Sequence, residues 1–127
     1  MKNTVSEIKQ SLIDLLKAHQ PHLKISVDND SKFEVSGTIE TMQGKKKVDG
    51  IYFATVQAKP KDVRFYFFPT YTHREELLAS MSDDLKKCLK GKSCFHIKSL
   101  SETLETELKE LVEQAIVLYQ NDGLLSK

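Results

Sequence analysis

The sequence predicts an α+β domain: a curved antiparallel sheet of about five strands packed by N-terminal and C-terminal helices, in the order α-β-β-β-β-α-α-β-α. Three observations lead there. Gly50 to Tyr71 holds seven of the chain's ten aromatics and reads as two strands joined by a Pro-Lys-Asp turn. Apolar residues recur at helical spacing near both ends of the chain. Connections between the strand-like segments are hairpin-short, which favours antiparallel pairing.

The first helix is expected over Thr4 to His19. Thr4 and Glu7 form a capping box, Val5, Ile8, Leu12, Leu15 and Leu16 make one apolar face that Ile13 widens, and Pro21 stops it. Leu23 to Val27 alternates as a short strand. Asp28-Asn29-Asp30 is turn chemistry, and Lys32 to Met42 alternates again through Phe33, Val35, Gly37 and Ile39. Met42 to Gly50 is then a pliable basic loop whose Lys45-Lys46-Lys47 run keeps a surface wet.

Ile51 to Lys59 and Val63 to Thr70 form the central hairpin. Lys59-Pro60-Lys61-Asp62 turns it, with Asp62 able to bond its own backbone. In its second strand Val63, Phe65 and Phe67 point one way and Arg64, Tyr66 and Phe68 the other. Both faces are therefore largely apolar. Either helices cover both, or one is left as an aromatic-lined pocket or interface.

Helical pattern resumes at Thr72 to Leu78, with Thr72 as cap, and at Asp83 to Leu89, capped by Ser82 and closed by Gly91. Ser93 to Ser99 alternates as a fifth strand. Ser101 caps a long final helix with Leu104, Leu108, Leu111, Ala115 and Leu118 on one stripe, broadened by Val112, Ile116 and Tyr119 and ended by Gly123.

At 127 residues the chain is long enough for one core, so residues 1–127 are read as a single domain. Nineteen basic against eighteen acidic residues leave +1, a balance with no global field for nucleic acid or membrane. The opening MKNTVSEIKQ lacks the apolar stretch of a secretory signal, and no apolar run reaches spanning length. Cys88 and Cys94 make no disulfide framework. The expectation is a soluble cytoplasmic protein.

Two candidate sites emerge. Arg64, Tyr66, Tyr71, His73, Lys90 and Lys92 would line an aromatic cleft with cationic ends, suited to a small anionic ligand, unless the cations pair with Glu75 and Glu76. Cys94 and His96 stand two apart on one strand face and would bind a soft metal if Cys88 or His73 joined them. Lys90-Gly91-Lys92-Ser93 runs from helix to strand, the wrong polarity for a phosphate loop. No third group orients a Cys-His pair for catalysis, so no catalytic residues are assigned.

The run KGKSCFHIKSL, Lys90 to Leu100, with GIYFATVQ and VRFYFFPTYTHREEL upstream, resembles the YdhG-like family of small bacterial proteins of unknown function. The resemblance covers roughly residues 33–124. Where many members carry a Tyr-Gly-Met-Pro-like segment, this chain has Glu40-Thr41-Met42-Gln43-Gly44. The resemblance implies a sandwich often compared with frataxin, and one member of the wider family has been linked to iron delivery.

The resulting expectation is a non-enzymatic domain that binds a small ligand or protein partner through its aromatic sheet face, with no resident cofactor. The alternative is a frataxin-like carrier taking iron on surface carboxylates. A homodimer formed through an apolar stripe is a third reading.

Overall fold

The computed structural model describes residues 2–127. Along the chain run α1 (Val5–Lys17), β1 (Leu23–Asp28), β2 (Lys32–Gly37), β3 (Thr41–Gln43), β4 (Lys46–Val48), β5 (Tyr52–Ala58) and β6 (Val63–Phe67). Then come α2 (Pro69–Thr72), α3 (Arg74–Ala79), α4 (Asp83–Cys88), β7 (Leu89–Lys90), β8 (Cys94–Ile97) and α5 (Glu102–Asn121). Six strands form one sheet in the order β1-β2-β5-β6-β8-β7, every neighbouring pair antiparallel. The fold is α+β, with helices near both ends of the chain packing on one side of that sheet.

Local chemistry places the helices. Thr4 Oγ1 accepts from the Glu7 amide at 3.2 Å, and the Glu7 carboxylate accepts a hydrogen bond from the Thr4 hydroxyl at 2.8 Å rather than reaching the backbone. Ser82 and Ser101 cap α4 and α5 by accepting from Leu85 and Leu104. After α5, Gly123 adopts φ +76°, Leu124 donates to the Tyr119 carbonyl at 2.8 Å and Gly123 to that of Gln120 at 3.1 Å. This pair of hydrogen bonds closes the helix by the Schellman pattern.

Strand alternation places the core. Phe33, Val56, Phe65 and Phe95 are partnered across β2, β5, β6 and β8, and all are fully or almost fully buried. They join Ile8, Leu12 and Leu16 of α1 and Leu108, Val112 and Tyr119 of α5 in one core. Each such side chain contributes about 1.5–3 kcal/mol by leaving water. Between Val35 and Ser36 the register slips, so Tyr52 faces outward while Phe53 and Ala54 are both buried.

Several expectations are corrected. The expected strand over Lys32 to Met42 breaks at Gly37, and MQGKKKVDG is no loose loop but part of a separate hairpin, β3 with β4, turned at Gly44 with φ +64°. The Gln43 side chain fastens that hairpin by accepting from the Tyr52 amide at 3.0 Å. Thr72 is no cap: it ends α2, and His73 separates α2 from α3, so the short helices number three rather than two. Gly91 does take a left-handed φ of +76°, but in the turn between β7 and β8, a strand pair that brings the main sheet to six. Asp62 bonds the Arg64 side chain.

No helix among the described residues is long and apolar enough to cross a membrane. The Thr70 hydroxyl on α2 is fully buried and has no hydrogen-bond partner among the described residues. Leaving a buried hydroxyl unpaired costs about 1–3 kcal/mol. The isosteric Thr70→Val substitution is therefore expected to raise the unfolding free energy by about 1 kcal/mol, read as a higher urea midpoint at unchanged slope. A lower midpoint would mean that the hydroxyl is satisfied.

Candidate functional site on the open sheet face

Helices cover one face of the sheet, and burial alternates strictly along β2, β6 and β8, which leaves the other face reaching solvent. The register assembles that face into rows. One row runs Glu34, Thr55, Tyr66, Cys94, Lys90, and the next runs Lys32, Gln57, Arg64, His96. Neighbours along a row stand about 4.8 Å apart, the spacing of paired strands.

Hydrogen bonds stiffen part of this surface. Thr55 Oγ1 donates to Glu34 Oε1 at 3.0 Å and accepts the Tyr52 hydroxyl at 2.6 Å. Arg64 Nε donates to Asp62 Oδ1 at 3.0 Å, so its carboxylate partner is Asp62 and neither Glu75 nor Glu76. The Tyr52 ring lies 5.6 Å from Phe68, and Phe68 lies 5.7 Å from Tyr71. Lys92 Nζ stands 5.5 Å from the Tyr71 ring centre, a cation–π contact. Tyr71 itself is 53% exposed.

The expected cluster is thus largely present. Arg64, Tyr66 and Lys90 share the face, and Tyr71 with Lys92 extends the aromatic series that begins at Tyr52. His73 does not belong to it. Its ring lies 5.3 Å from Tyr119, which packs edge-on against the core residue Phe53. His73 Nε2 bonds the Asp122 carboxylate at 2.7 Å and Nδ1 bonds the Thr72 hydroxyl at 2.9 Å. This histidine joins the α2–α3 corner to the end of α5 on the helix side.

Cys94 and His96 do share the open face, but neither Cys88 nor His73 completes a metal set with them. Among the described residues, no group of three or more His, Cys, Asp or Glu side chains stands close enough to hold a metal ion. Burial raises the Cys94 thiol above its ordinary pKa despite nearby Arg64, and burial raises Cys88 as well. Neither is an activated thiolate. His96 is lowered, first by burial and then by Arg64, which favours its neutral form.

Beyond the short strand β7, a cleft of about 580 Å³ opens between α4, β8 and the start of α5. Cys88, Lys90, His96, Lys98, Ser101 and Glu107 are among its walls. Glu107 is already engaged, accepting from the Ser82 amide and hydroxyl at 2.6 Å each.

Glu34, Tyr52, Thr55 and Lys32 were not among the residues expected at the site. The outward positions of Glu34, Thr55 and Lys32 follow from strand alternation and that of Tyr52 from the register slip beside it; their company with Tyr66 and Arg64 follows from register, which alternation does not encode.

Two tyrosines supply a pH signature. Burial pushes both Tyr52 and Tyr119 up to about 12, against the opposing effect of their hydrogen bonds to Thr55 and Thr72. The folded protein thus holds these phenol protons after an unfolded chain has begun to lose them near pH 10. Their stabilising contribution is whole below pH 10 and is lost as pH rises through about 12. Phenolate absorbance is expected to show Tyr52 and Tyr119 ionising late, together with alkaline unfolding. Normal titration of both in folded protein would contradict their burial.

The fold and its surface define a class: a two-layer α+β protein with an open face of aromatic and cationic side chains. No family model, curated protein or solved structure matches the chain.

Proposed function

We propose that this is a non-enzymatic binding module whose working surface is the open sheet face, and that it takes a small anionic ligand with a flat apolar part. The observation that carries this reading is the juxtaposition of rings with cations: the half-buried Tyr66 next to Arg64 along β6 and in one row with Lys90 across Cys94, and Lys92 over the exposed Tyr71. Rings offer stacking surface to the flat part, while the ammonium and guanidinium groups meet the charge. The Lys90 to Leu100 run supports placing the chain in the YdhG-like family as part of the same reading. Two unpaired thiols, Cys88 and Cys94, fit a reducing compartment such as the cytoplasm.

The test is an NMR titration of labelled protein with nucleoside monophosphates and aromatic carboxylates. Amide shifts are expected at Arg64, Tyr66, Tyr71 and Lys92, saturating together. Shifts confined to Ser101 and Thr103 in the edge cleft, or none on the sheet, would sink the reading.

A further inference from the structure

Resting on that reading of the open face, we infer that its natural occupant is a short single-stranded nucleic acid, with bases on the aromatic side chains and phosphates along the cations. The first argument is how charge is distributed. A formal charge of +1 conceals a segregation between the two layers. α5 carries Glu102, Glu105, Glu107, Glu110 and Glu113 against Lys109 alone. The sheet face carries Lys24, Lys32, Arg64 and Lys90, while its carboxylates, Glu34 and Asp62, are engaged by Thr55 and Arg64. Lys24, Lys32 and Lys90 have no carboxylate within ion-pair distance among the described residues. The local field on this face suits a polyanion even though the net charge does not.

The second argument is shape. The cations are not one patch but a track across the strands, from Lys24 on β1 to Lys90 on β7, about 24 Å at ordinary strand spacing. A single small anion would use one end of it. An extended strand of roughly four to six nucleotides would use it all. Beside the cations lie the exposed Tyr71 and the half-buried Tyr66, with the half-buried Tyr52 and Phe68 continuing the series, and unpaired bases stack on such rings whatever their identity. A duplex buries those base faces and cannot use the rings.

The experiment is fluorescence anisotropy of the full chain with labelled oligo(dT) and oligo(U) of about twelve nucleotides, enough to overfill the track. Binding is expected at low salt, with affinity falling roughly fifty-fold between about 50 and about 200 mM salt if about four phosphates are neutralised. Tyr71→Ala, at an exposed position that leaves the core untouched, is expected to weaken binding at least about fivefold. Combined Lys24→Glu and Lys32→Glu should weaken it further and flatten the salt dependence. Lys109→Glu on the opposite layer should change nothing.

No binding at low salt overturns the inference. So does equal affinity for a duplex of the same length, or for heparin with no effect of Tyr71→Ala, since either reduces the face to unspecific charge. If nucleoside monophosphates shift the face while strands fail to bind, the polymer inference falls and the small-ligand reading stands. If neither perturbs the face, both fall. An acidic protein captured in place of nucleic acid would also overturn it.

Discussion

Replacing Phe65 with alanine is expected to lower the unfolding free energy by about 3–5 kcal/mol. The ring is fully buried at the middle of the sheet. It is partnered with Val56 on one side and Phe95 on the other, and its centre lies 5.3 Å from Phe67 and 6.2 Å from Phe95. A strand held by ladders on both flanks cannot sink into the vacated space, so the cavity persists and its cost adds to the lost transfer free energy. Phe65→Leu keeps most of the volume and is expected to cost about 1–1.5 kcal/mol. Urea unfolding at constant slope is the measurement. A loss under about 1 kcal/mol for the alanine variant would mean that the helical layer closes over the gap.

Gly50→Ala is expected to cost about 3 kcal/mol or more, although Gly50 lies in a connection and does not take a left-handed φ. The reason is proximity: a Cβ there would fall on the carbonyl oxygen of Gly37, whose amide donates to the neighbouring Ile51 carbonyl at 2.8 Å. Backbone is what stands in the way, so no side-chain rotation relieves the overlap. Gly37 is itself hemmed in, since a Cβ added to it would stand 2.8 Å from Leu125 Cδ2. Gly44→Ala is the informative contrast. Nothing lies within 4 Å of an added Cβ there, and the penalty is that of a left-handed φ of +64°, about 1–2 kcal/mol. Equal midpoints for the Gly44 and Gly50 variants would show that the Gly37–Gly50 approach is looser than drawn.

The same pair of glycines explains where sequence reading stopped. Period-two alternation through Phe33, Val35 and Gly37 continues in Ile39, so nothing local announces that β2 ends at Gly37. The break is set by tertiary approach to Gly50, thirteen residues on in the chain. By contrast the inward set Val63, Phe65, Phe67 and the caps Thr4, Ser82 and Ser101 were legible, because side-chain period and terminal hydrogen bonding are local properties. The site was legible residue by residue but not as a surface. Arg64 and Tyr66 were placed on the outer side by alternation alone. Whether that side was covered depended on all helices packing opposite, and whether His73 joined it depended on its bond to Asp122, 49 residues on in the chain. Neither fact is local to the side chain concerned.

The hairpin of β3 and β4 leaves the main sheet at Gly37 and re-enters beside it at Gly50. A segment whose ends already touch is, for the rest of the chain, a closed ring on a stalk. Changing its length alters loop-closure entropy slowly, by about 0.6 kcal/mol for each doubling, and leaves the flanking ladders in register. The tip at Gly44 is therefore the natural point for grafting a peptide tag or a fluorophore, or for opening the chain in a circular permutation.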